Sequence, residues 1–208
     1  MDEPLTAYQL RYCPARYIHP SQLPVALQTL AQALPDWRSQ NSVNAWLITE
    51  LALALDYPIS ARLAGLALFA QTDLRRTLGT LGAILHGQAI RQALEASTLA
   101  RLHAAIGCAG HRFCLEHLEL IIGPWPAGWQ QVLPAGDLDD YLHRYGLAFW
   151  MQAMGEVDQG FARRLGLRIA QAQVISSCSI TEEQRPLAQT LCLKIARHMS
   201  PTCLHLLD

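Results

Sequence analysis

Leucines recur at steps of three and four through most of this chain, and that spacing constrains the fold more than any other feature. Leu23, Leu27, Leu30 and Leu34 step by four, three and four. An α-helix turns about 100° per residue, so these side chains fall on one stripe. Further stripes run through Leu74, Leu78, Leu81 and Leu85, through Leu138, Leu142, Tyr145 and Phe149 (widened by Trp150 and Met154), and through Leu187, Leu191 and Ile195. A strand needs strict alternation instead. Only RRLGLRIAQAQVI, residues 163–175, offers it, through Leu165, Leu167 and Ile169; Phe161, Leu165 and Ile169 fit a helix as well. The expected fold class is mainly α: a compact irregular helical domain with at most minor strand content.

Punctuation residues set the expected boundaries. Ser21 would cap the first striped helix, with Pro24 in its first turn and Pro35 as its stop. A second helix runs from Asn41 to about Leu55, largely buried through Val43, Trp46, Leu47, Leu51 and Leu55, and ends at Tyr57-Pro58. Thr72 would cap a third, with Asp73 in its first turn. Gly79 and Gly82 weaken that helix by about 1 kcal/mol each, which makes sense where another helix packs closely. Gly87 either interrupts it or lets it continue through Ile90 and Leu94. Leu99, Leu102 and Ile106 form a helix ending at Gly107, and another spans Arg112 to Ile122. Asp137, Asp139 and Asp140 open the next. Thr181 and Gln184 resemble a capping box for the last, which Pro186 permits only if the helix starts late; Ser200-Pro201 stops it. With no repeat, low-complexity tract or linker, residues 1–208 read as one domain, leaving room for an N-terminal lobe at 1–70.

Composition bounds the function. Apolar residues make up 51% of the chain and charged residues 16%, below the usual value of about 25%. Either this is simply an alanine- and leucine-rich helical domain, or part of its outer surface is buried against partners. A net charge of −1 gives no electrostatic case for nucleic acid or an anionic membrane. The start, MDEPLTAYQL, lacks a basic, then apolar, leader pattern. LAGLALFA is far shorter than a bilayer span. Six cysteines without a C-x-x-C pair read as free thiols in a reducing compartment. The expectation is a cytoplasmic protein with no direct membrane insertion.

No nucleophile elbow, phosphate loop, dinucleotide fingerprint or zinc-protease helix is present. Cys108, His111, Cys114 and His117, with His103 nearby, are zinc-type ligands, but three steps of three carry Cys108 and His117 to opposite sides of a helix. Thiol chemistry on Cys114 with these histidines lacks a signature in the same way. The three aspartates at 137, 139 and 140 are explained by helix capping as well as by a cation. No enzyme activity and no cofactor are expected. Only Lys194 among the 16 cationic side chains is a lysine. Arg163, Arg164 and Arg168 form either a cationic edge for a carboxylate-bearing partner or a solvated face. Trp125 and Trp129, in LIIGPWPAGWQQVLP, form either a rigid corner between two helices or a partner-docking knob. Those five residues are what the sequence offers for partner binding.

Several segments together carry a family resemblance: YQLRYCPARYIHPSQLP near the start, LHGQAIR at 85–91, LIIGPWPAGWQQVLP, GLAFWMQAM at 146–154 and QRPLAQTLCLKIARHMSPTCLHL at 184–206. In this order they resemble the bacterial type III secretion YscK family, the Yop translocation protein K group. The resemblance implies a non-enzymatic adaptor in the cytoplasmic sorting platform. Such an adaptor links the cytosolic forkhead-associated domain of the inner-membrane ring protein to the C-ring-like pod protein, and through it to the stator and ATPase. The alternative is a secretion chaperone or export regulator that holds secreted substrates. The resemblance assigns no contact residues.

Overall fold

The computed structural model describes residues 3–59, 62–170 and 178–207. Its α-helices are α1 (Ala7–Tyr12), α2 (Pro14–Tyr17), α3 (Val25–Ala33), α4 (Asn41–Glu50), α5 (Gln71–Ile84), α6 (Gly87–Gln92), α7 (Ala96–His117), α8 (Leu138–Met154), α9 (Gln159–Gly166) and α10 (Arg185–Met199). Short 3-10 turns fill several connections, and no strand occurs among the described residues. The fold is all-helical, as the leucine spacing requires. The strand-like alternation after Arg163 is instead the end of α9 and the turn beyond it, with Leu165, Leu167 and Ile169 all buried. The rest of that ambiguous segment, 171–177, lies outside the described residues.

The centre of the molecule is the pair α5 and α8, which run in the same direction (Arg75 meets Asp139 near their starts, and Gly82 faces Gly146 further on) and are flanked by α7 and α10. Leu74, Leu78, Leu81 and Leu85 are fully buried, and so are Leu142, Phe149 and Trp150 from α8. Two glycines set the spacing of the pair. A methyl group at Gly82 would strike the Leu142 carbonyl, and one at Gly146 would strike the Leu78 carbonyl. Backbone therefore meets backbone without intervening side chains, the close approach that glycine within a helix permits. Gly107 takes φ +67° and kinks α7, so the two expected helices on either side of it form one bent element.

The N-terminal elements pack on one another. Asn44 of α4 accepts a hydrogen bond from the Ala15 amide (2.9 Å) and donates to the Gln40 carbonyl (2.9 Å), fixing α2 against α4. A capping box at Thr6 and Gln9 starts α1. One continuous apolar cluster extends from Leu10 through the α5–α8 pair to Leu207.

Several boundaries differ from the sequence expectation. Ser21 is no helix cap: it sits in a 3-10 turn, and α3 begins at Val25 after Pro24. Thr72 lies inside α5, which starts one residue earlier. The helix from Asn41 stops at Glu50 because Ala52 takes a left-handed φ of 46°, which helical hydrogen bonding does not tolerate. Leu53 and Tyr57 consequently point inward and Leu55 outward. At the other end, Asp137 caps α8 by accepting the Asp139 amide (2.9 Å). Thr181 and Gln184 exchange both capping-box hydrogen bonds one turn ahead of α10, which starts late enough for Pro186 to fall in its first turn.

Candidate interaction surface

The segment between α7 and α8 turns through two glycines with positive φ, Gly123 (+72°) and Gly128 (+81°). Gly128 thus makes a left-handed turn rather than a helical one, and Trp125 and Trp129 approach edge-on with ring centroids 6.5 Å apart. Trp129 is fully buried and stands perpendicular to Phe149 of α8 at 5.0 Å. Trp125 is half-buried, and its indole Nε1 donates to the Leu118 carbonyl at 2.7 Å. The Gln130 side chain donates to Ile84 O (2.9 Å) and accepts from Gln88 N (3.0 Å), joining the end of α5 to the start of α6. Lys194 of α10 donates to Ile121 O (2.6 Å). The segment is a corner fastened to four helices, and Trp129 belongs to its interior.

The three arginines separate. Arg163 is exposed, whereas Arg164 and Arg168 are buried, so the two do not lie on a solvent-facing cationic edge. Arg164 donates to Leu10 O (3.2 Å), the Tyr17 hydroxyl (3.1 Å) and Ala54 O (2.9 Å). Arg168 donates to Ala67 O and Phe69 O, each at 2.7 Å, and to the Gln71 amide oxygen at 3.2 Å. A planar guanidinium suits this bridging of carbonyls that no helix hydrogen bond satisfies. The two side chains clip the N-terminal elements and the loop before α5 onto α9. Burial lowers the Arg168 pKa to about 10 and raises that of Tyr17 to about 12. Periodicity reads such residues as surface because it sees charge, not the carbonyls the charge will meet.

The zinc-type residues do not converge. Cys108 is exposed and Cys114 buried, and burial pushes the Cys114 thiol up to about 12. His103 meets His111 at 2.9 Å, while His117 stacks on Phe113. Among the described residues no group of three or more His, Cys, Asp or Glu side chains could hold a metal ion. Asp139 pairs with Arg75 at 2.6 Å, beside the Asp137 cap.

A surface that the leucine stripe concealed lies between α3 and α4. Of that stripe only Leu27 is buried; Leu30 is 37% and Leu34 47% exposed, and Trp46 of α4 is 37% exposed rather than buried. Ala26, Leu27, Leu30, Val43 and Trp46 line an open apolar groove of about 310 Å³. Val25, 79% exposed, extends the face. An amphipathic helix normally turns its stripe inward; α3 leaves part of it uncovered. Polar Ser42, Thr49 and Glu50, which share a helix face with Trp46, were the sequence cue to a one-sided helix. No helix among the described residues is long and apolar enough to cross a membrane.

A helical domain with a fastened corner, arginine clips and an uncovered apolar groove has the make-up of a protein-binding module. The chain belongs to the YscK family: the family model for YOP proteins translocation protein K (YscK) matches residues 4–208. It is 40% identical to the Yop proteins translocation protein K of Yersinia pseudotuberculosis over 99% of both chains, and equally to that of Yersinia enterocolitica. Among solved structures it is similar to the cytoplasmic domain of the type III secretion sorting platform protein PscK from P. aeruginosa. That match has 50% identity and a TM-score of 0.81, covering 98% of this chain and 99% of the other.

Proposed function

We propose that this chain is a non-enzymatic adaptor of a type III secretion sorting platform in the cytoplasm. It joins the cytosolic forkhead-associated domain of the inner-membrane ring protein to the C-ring-like pod protein, and so indirectly to the stator and ATPase. The likeness to PscK over nearly the entire chain carries this reading. The uncovered groove between α3 and α4 supports it, because an apolar face left open in a folded domain favours a partner. Trp125 and Arg163, which reach the surface, are further contact residues of the proposal; Trp129, Arg164 and Arg168 hold the scaffold behind them.

Replacing Leu30 and Trp46 together by glutamate tests the reading in cells. The protein is expected to fold, because both side chains are already part-exposed, while pod assembly and effector secretion are lost. A gene deletion that leaves pod assembly intact overturns the adaptor role. Stable capture of secreted substrates without the pod protein would replace it with that of a chaperone.

A further inference from the structure

A second opening, of about 380 Å³, lies where the N-terminal elements meet α5 and the end of α9. Arg16, Arg38, Arg75 and Arg168 line it, with one carboxylate, Glu3, among its lining residues. Arg38 is held by the carbonyls of Ala15 (2.6 Å) and Ile18 (3.3 Å), and lies over the Trp37 ring at 4.4 Å. Arg168 is held by carbonyls as well, and its Nε finds no acceptor among the described residues. Carbonyl dipoles orient these guanidinium groups without neutralising them. Arg75 is paired to a carboxylate, Asp139, through one of its terminal nitrogens. Burial, followed by the charges of Arg75 and Arg38, holds the His19 pKa below its ordinary value, and Asp140 and Asp139 only partly oppose this. Leu5, Tyr17, Ile18 and Pro20 give the opening an apolar wall, and Gln71 adds a neutral polar group.

We infer that this pocket binds an acidic segment of a partner protein, one Asp or Glu carboxylate among the arginines and a neighbouring aliphatic side chain against Leu5 and Ile18. Fixed, part-desolvated guanidinium groups recognise carboxylates strongly because their orientation is set before the ligand arrives. The mixed lining favours a peptide over a bare anion, since a free phosphate would leave the apolar wall unused. The source of the segment rests on the adaptor reading; the pocket's preference for a carboxylate does not. The pocket is separate from the α3–α4 groove, so the two offer two contacts on one chain.

Fluorescence anisotropy with a short labelled peptide carrying a Glu-Asp pair between leucines tests this, against its Gln-Asn twin. Saturable binding of the acidic peptide alone is expected, weakened about tenfold by Arg75→Gln or Arg16→Gln. Glu3→Gln, which removes the lining carboxylate, is expected to tighten it by roughly threefold. Circular dichroism melting confirms that each variant is folded, and the Glu3 variant keeps the test open if an arginine variant is not. Equal binding of both peptides, or affinity unmoved by all three substitutions, overturns the proposal. Inorganic phosphate that binds this site while the acidic peptide does not overturns it in favour of a free anion. Failure here leaves pod assembly dependent on the chain, whereas failure of the adaptor reading leaves the pod assembled without it.

Discussion

The Trp129 indole stands edge-on against the Phe149 ring, centroids 5.0 Å apart and planes at 84°, with Trp129 wholly removed from solvent. Its Nε1 finds no acceptor among the described residues, so packing alone holds the ring. Trp129→Ala is expected to destabilise the fold by about 3–5 kcal/mol, as truncation of a large core aromatic does. Trp129→Phe should lose less, because no hydrogen bond is removed. Trp125→Phe should lose about 1 kcal/mol, the value of its bond to the Leu118 carbonyl. Urea unfolding of the three variants checks the order; a fully stable Trp129→Ala would refute the corner's structural role.

Arg168 and Arg163 occupy opposite environments five residues apart. Arg168→Met keeps the apolar stem but strips the donors from the buried Ala67 and Phe69 carbonyls, an expected loss of about 3 kcal/mol or more. Arg168→Lys should recover only part of that, since an ammonium cannot span both carbonyls in the plane of a guanidinium. Arg163→Met, at an exposed position, should stay within about 0.5 kcal/mol of the parent. Thermal melts at one pH suffice to compare them.

Close contact between α5 and α8 depends on two missing methyl groups. Gly82→Ala and Gly146→Ala each drive a Cβ into a carbonyl of the partner helix. Each should destabilise by at least about 1–3 kcal/mol, despite alanine's better helix propensity, because the helices must separate along their length. Gly136→Ala is the control, with nothing within 4 Å of the added carbon. A stabilised Gly82→Ala would mean that the pair is not in backbone contact.

The stripes on α5, α8 and α10 were legible because those helices bury one face against neighbours that the sequence itself supplies. The glycine spacing at 79 and 82 likewise announced a close helix contact, which Gly82 makes. The stripe on α3 misled: Leu30 and Leu34 obey the same period as Leu78 and Leu81, yet no other described element fully covers them. Periodicity reports that a face is apolar, not what covers it. Arg164 and Arg168 were read as surface because their acceptors, backbone carbonyls above all, lie more than 90 residues away along the chain. Such partners exist only once the chain has folded. For the same reason the arginine-lined pocket, drawn from five separate stretches of chain, had no local signal.

His86 links the α5–α8 centre to pH. Its Nδ1 lies 2.7 Å from the Gly82 carbonyl, which can only accept, so Nδ1 carries the proton and Nε2 accepts from the Tyr141 hydroxyl at 3.2 Å. A neutral ring satisfies both bonds; on protonation Nε2–H would become the donor and the Tyr141 hydroxyl would have to turn to accept it. Burial lowers the pKa of His86 from 6.5, with the Gly82 carbonyl partly opposing it. Burial likewise lowers that of His143, helped by Arg75 and opposed by Asp139. Above pH 6.5 neither state holds these protons and the stability is complete. As pH falls below 6.5, the unfolded chain takes up protons that the folded chain resists, so stability declines until the folded imidazoles protonate in turn. The urea midpoint is therefore expected to fall between about pH 7.5 and 5, and His86→Gln should remove part of that slope while leaving the rest to His143, His19 and His111, whose pKa values are lowered as well. An identical pH slope in His86→Gln would show that His86 is not the group being titrated.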